Sequence, residues 1–148
     1  MKIYLESEVE KKASEVFSLF NKDLFLKLAP PFPPSRLIRF DGSKRGDLVH
    51  LQVWNGGWQD WISEIIADGE SENSFYFVDQ GTKLPWPLKE WNHRHVVKAG
   101  LDGGSVIVDH IEYSTGSNVL DKMIFPFLKA QFKYRQPIYK KEFKATNN

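Results

Sequence analysis

His93 and His95 stand one residue apart behind Trp91, and Asp109 lies on the next alternating run. Alternate residues of a strand share a face. Trp91, His93, His95 and Val97 therefore line one surface, and a hairpin sets Ile107, Asp109, Ile111 and Tyr113 beside them. The opposite face carries Asn92, Arg94, Val96 and Lys98, then Val106, Val108, His110 and Glu112, and its charges direct it to solvent. In this register Asp109 lies across from His95 or diagonal to His93. A carboxylate beside a buried imidazole orients the ring and fixes its tautomer. Such a group can anchor a ligand carbonyl or hydroxyl. It can also run acid–base chemistry, with His93 or His95 as base and Asp109 as orienter. The structural alternative is a self-satisfied His–Asp pair inside an apolar core.

A His-x-His pair on a strand also resembles a cupin metal site. The Glu that cupins place four or five residues later is missing, because Ala99 and Gly100 stand there. His50 or Asp109 would have to complete the ligand set, and metal needs at least three convergent donors. No metal and no cofactor are expected on this reading.

The elements that carry these residues follow from periodicity. Ile3, Leu5, Ser7 and Val9 alternate with polar partners as a strand. Helical spacing follows from Ala13 to Phe20, and Asn21 caps a second short helix with Leu24, Phe25 and Leu28. Pro30, Pro31, Pro33 and Pro34 stop it. Six strand-like runs come next: Arg36 to Phe40, Asp47 to Trp54, Trp58 to Ala67, Ser74 to Gln80, Leu88 to Lys98, and Ser105 to Tyr113. Turn signals separate them, among them Asn55-Gly56-Gly57, Asp68-Gly69, Gly81 and Asp102-Gly103-Gly104. Ser117 to Phe143 is a long helix with Leu120, Ile124, Phe127, Leu128 and Tyr134 on one side, which Pro126 and Pro137 should kink or break. Asn147 and Asn148 are expected to fray.

The predicted architecture is α+β: one strand, two short helices, six strands and one long helix, in a single domain over residues 1–148. A curved seven-stranded antiparallel sheet would wrap the final helix. One helix cannot cover such a sheet along its whole width, and the leftover volume tends to become a cavity. Phe127 and Leu128 would face it, and Gln131 and Arg135 fall on the same side when the helical phase is extended. Arg135 would meet a ligand carboxylate or pair with Asp79 or Asp109. Trp86, between Pro85 and Pro87, belongs in a loop at the cavity rim.

Whole-chain properties bound the function. The chain has 148 residues, 14% of them aromatic, and a formal net charge of +1. That balance argues against a general nucleic-acid binder. With no cysteine, disulfides, thiolate metal sites and cysteine nucleophiles are excluded. No signal peptide or apolar span is visible at the sequence level, and a cytoplasmic location is expected. Residues 117–148 hold seven basic and two acidic side chains, with Lys122, Lys129, Lys133, Lys140 and Lys144 on one helix face. A solvated face or transient contact with anionic lipid follows, without stable insertion. No G-x-S-x-G, Walker or Rossmann fingerprint is present.

Several short motifs carry a resemblance. Leu28-Ala29-Pro30-Pro31-Phe32, Trp91-Asn92-His93-Arg94-His95, Asp109-His110-Ile111-Glu112-Tyr113 and Phe132-Lys133-Tyr134-Arg135 occur in this order. With the element order, they resemble the START-like helix-grip superfamily, also called Bet v 1-like or SRPBCC. The closer likeness is to a bacterial branch of ligand-binding SRPBCC proteins, some labelled cell-division-inhibitor-like. The chain departs from that branch at Thr115-Gly116, which replaces a proline–glycine-like step, and at the Pro-Trp-Pro run of residues 85–87. The resemblance implies a cavity for a small hydrophobic or amphipathic ligand, such as a lipid, polyketide or aromatic metabolite. Trp91, Val97, Ile107, Ile111, Tyr113, Phe127 and Leu128 would form its walls, with His93, His95, Asp109 and Arg135 as polar anchors. A cyclase- or dehydratase-type enzyme is the alternative, and a regulatory interaction protein without ligand is a third reading. A monomer or weak homodimer is expected.

Overall fold

The computed structural model describes residues 1–145; the expected fraying of Asn147 and Asn148 lies outside them. The elements are β1 (Lys2–Val9), α1 (Ala13–Ser18), α2 (Lys22–Leu28), β2 (Ser35–Phe40), β3 (Leu48–Trp54), β4 (Trp58–Ser71), β5 (Ser74–Lys83), β6 (Glu90–Ala99), β7 (Ser105–Ser114), α3 (Asn118–Lys133) and α4 (Arg135–Glu142). The strands form one antiparallel sheet in the order β1-β7-β6-β5-β4-β3-β2. The α+β arrangement is the one the periodicity predicts.

The local causes are visible in the side chains. β1 buries every second residue, with Ile3, Leu5, Ser7 and Val9 inward. Asn21 accepts a hydrogen bond from the Leu24 amide at 3.0 Å and caps α2. Helix contacts concentrate on β1, β5, β6 and β7. Under α1 and α4, Val16, Val97, Ile107, Tyr139 and Phe143 form one buried cluster. Under α3, Ile3, Trp91, Ile111, Tyr113, Leu128 and Phe132 form another. β4 carries two register shifts against β5, and β2 carries one against β3. Bulges bend a strand and increase its twist, and these lie toward the β2–β5 side of the sheet.

Three sequence readings are corrected. Asp68-Gly69 is not a turn: β4 runs through it to Ser71, and the tight turn is Glu72-Asn73, with Asn73 at φ 59°. Gly69 is a strand position covered by the Tyr76 ring, which lies where a Cβ would go. Gly81 likewise lies inside β5, which reaches Lys83. The long helix breaks after Lys133, whereas Pro126 sits inside unbroken α3. Pro137 causes the break one turn ahead of itself. Its ring offers no N–H to the Lys133 carbonyl and collides with that carbonyl in a continuous helix.

Thr115-Gly116 joins β7 to α3. Thr115 donates to Asp121 Oδ1 through its amide at 2.7 Å and its hydroxyl at 2.6 Å. Gly116 adopts φ 83° there.

Candidate functional site

Between the β2–β4 half of the sheet and α2–α3 lies a cavity of about 660 Å³. Leu37, Val49, Leu51, Val53, Trp61 and Ile65 line it from the sheet. Ile124, Phe127, Leu128 and Phe132 line it from α3. Three of its rim residues, Phe32, Trp86 and Phe127, are exposed. The rim loops are tied down: Gln131 donates to the Phe32 carbonyl at 3.0 Å, and Asn55 to the Trp86 carbonyl at 2.8 Å.

A cluster of titratable side chains sits on one part of the wall. Asp79, His93 and His95 line the cavity there, with Arg135 beside them. The register pairs Asp79 with His93 across β5–β6, and His95 with Asp109 across β6–β7. The shortest contacts nevertheless run diagonally. His93 Nε2 lies 2.8 Å from Asp109 Oδ1, and His95 Nε2 lies 2.9 Å from Asp79 Oδ2. Two longer contacts close a ring of four groups: His93 Nδ1 to Asp79 Oδ2 at 3.6 Å, and His95 Nδ1 to Asp109 Oδ1 at 3.8 Å. The imidazoles overlap, with centroids 3.5 Å apart. Phe77 stacks on His95 at 4.2 Å, and Phe132 meets His93 edge-on at 5.1 Å.

The electrostatics follow from this packing. Burial pushes the His95 imidazole down to about 4, and the neighbouring His93 adds to that, so His95 is neutral at neutral pH. Burial opposes ionisation of Asp79 and Asp109. The hydrogen bond from His95 to Asp79 and that from His93 to Asp109 outweigh it, helped by the nearby imidazoles and Arg135. Both carboxyls are held below the usual carboxylate range. A neutral His95 bound to a carboxylate through Nε2 must donate there. Its Nδ1 is then a bare acceptor, and among the described residues it has no hydrogen-bond partner.

Of the residues named from sequence, Trp91, His93, His95, Phe127, Leu128 and Arg135 lie on the cavity wall. Val97 and Ile107 lie instead in the core under α1 and α4, and Ile111 and Tyr113 in the core under α3. Asp109 is buried behind the histidines, off the wall. Period-two alternation reports which face a side chain takes, but not whether helix or open space covers it. Arg135 forms no ion pair among the described residues; its guanidinium lies 4.6 Å from the Phe132 ring centroid. His50 is no part of this cluster and pairs with Asp60 at 2.8 Å. Asp79 is the member missed as a direct histidine partner. The signal was its spacing in the Ser74–Gln80 run, but its β6 partner depends on a connection whose path the sequence does not define.

No protein-family profile matches the chain, and no curated protein matches it. Solved structures do. Protein Ms6760 from Mycobacterium smegmatis superposes with a TM-score of 0.70 at 15% identity, over 99% of this chain and 93% of that one. Norcoclaurine synthase from Thalictrum flavum gives 0.63 at 16%, over 93% and 92%. Ara h 8.0201 gives 0.60 at 17%, over 94% and 97%. The fold is thus the Bet v 1-like helix-grip fold. At these identities the likeness defines architecture alone.

Proposed function

We propose that this protein binds a small hydrophobic or amphipathic molecule between the sheet and the C-terminal helix. The observation that carries this reading is the 660 Å³ cavity, lined mostly by apolar side chains, with the Asp79–His93–His95 cluster set into one part of its wall. Pockets of about 300–1,000 Å³ with a few convergent polar groups are typical ligand sites. The apolar body of the ligand would pack along Leu51, Trp61, Leu128 and Phe132. Its oxygen-bearing end would meet Asp79, His93 and His95. The exposed rim of Phe32, Trp86 and Phe127, with the lysines of the last helices, supports loading by transient contact with an anionic membrane.

A cyclase- or dehydratase-type reaction is the second reading. It is favoured by the His93–Asp109 hydrogen bond directly behind the cavity wall. Native mass spectrometry of protein purified from its host, with titration by an apolar fluorophore, tests binding. The expected result is a co-purified organic mass and saturable one-to-one binding of the probe. Absence of both overturns the reading.

A further inference from the structure

We propose that Asp79, His93 and His95 bind one divalent first-row transition-metal ion at the cavity wall, with Asp109 ordering the His93 imidazole from behind. This goes beyond ligand binding as such and rests on separate observations.

One donor atom from each of these residues lies within 4.8 Å of the other two. His93 commits Nε2 to Asp109, which leaves Nδ1 for the ion. The Asp79 Oδ2 atom is 3.6 Å from that Nδ1 and 2.9 Å from His95 Nε2. Donors about 2.1 Å from a metal sit about 3.0–3.4 Å apart at right-angled to tetrahedral geometry. Both spacings fall close to that range. Two imidazoles and one carboxylate suit zinc, iron(II), cobalt(II) or nickel(II) rather than magnesium or calcium.

A second observation is independent of the donor spacing. His95 Nδ1 is buried and has no hydrogen-bond partner among the described residues. His93 turns Nε2 to Asp109 and presents Nδ1 toward the Asp79 carboxylate. Coordination of a cation by His95 Nε2 leaves the ring proton on Nδ1, on the side where Asp109 Oδ1 stands 3.8 Å away. Asp109, already bonded to His93, lies behind the ligands as outer carboxylates do in metal sites. The three ligands line the cavity, so the remaining coordination positions open toward a ligand oxygen. The rival occupant is a proton on His93 Nδ1.

The test uses the full chain stripped with a chelator. Zinc(II) is titrated by calorimetry and cobalt(II) by its visible absorption, without added organic ligand. One equivalent should bind. Asp79→Asn and His95→Gln should abolish uptake, and Asp109→Asn should weaken it about 10–100-fold. Asp60→Asn, in the separate His50–Asp60 pair, should leave it unchanged. Near-UV circular dichroism checks that each variant folds. If the cluster variants fail to fold, the wild type decides alone: cobalt(II) must shift histidine ring protons in NMR spectra. No saturable uptake by the wild type overturns the proposal, as does uptake undiminished in a folded Asp79→Asn. The apolar-probe titration on stripped protein is read independently, so loss of the metal site and loss of the ligand site are distinguishable.

Discussion

Asp109 is buried at 2% exposure, and among the described residues His93 is its one hydrogen-bond donor. His93→Ala therefore leaves a carboxylate in the interior without a donor. Breaking a buried pair from one side costs about 3–5 kcal/mol, and equilibrium urea unfolding of the metal-free protein should show a loss of that size. Asp121 makes a pH prediction. The hydroxyl and amide of Thr115 hold its carboxyl below the ordinary value of 3.8. A depressed folded-state value means that the stabilisation is fully present above the unfolded-state value and is lost as pH falls through the folded one. Asp121→Asn should be less stable than the wild type at neutral pH, with the gap closing in acid below 3.8. A gap that stays constant across urea midpoints measured down the acid range would refute this. The residue scale was the most legible in the sequence, because period-two alternation needs no knowledge of register. It brought His93, His95 and Asp109 to one face. Asp79 needed the β5–β6 register, which follows a six-residue connection containing Pro85, Trp86 and Pro87.

Element order followed from hydrophobic period, whereas element ends did not. Asp68-Gly69 has turn chemistry, yet Tyr76 covers the bare glycine from the neighbouring strand and extends β4 past it. A tertiary contact overrode a local preference there. Pro126 and Pro137 looked alike as breakers, but only Pro137 coincides with a break. Gly104, before β7, shows the opposite case, in which glycine is required. A Cβ at this position would run into the Val9 carbonyl oxygen at the end of β1. Gly104→Ala should lower stability by about 1–3 kcal/mol, measured by chemical denaturation, with the β1–β7 amides losing hydrogen-exchange protection first.

At the scale of the molecule, uneven helix coverage of a bent sheet creates both core and cavity. Where α1, α3 and α4 press on β1 and β5–β7, the inner face is filled. Over β2–β4 it is open. The sequence foretold leftover volume, but not its side, because bulges in β2, β4 and β5 shape the sheet there and leave no simple pattern. Leu51 lies on the open side. Leu51→Trp should fill part of the cavity and weaken apolar-probe binding tenfold or more, while stability changes by less than about 1.5 kcal/mol. Probe titration and a denaturation curve on the same preparation check both halves.

The tryptophans divide the same way. Trp61 and Trp91 meet edge to face at 4.8 Å on the cavity wall, whereas Trp86 stands at the rim, 69% exposed. Trp54 and Trp58 are exposed as well. The protein thus carries two optical populations: the wall pair and three indoles open to water. An external quencher such as iodide should reach mainly the red-emitting exposed indoles. A chromophoric guest should instead draw energy from the wall pair, so that occupancy is read as a change of emission colour without any label.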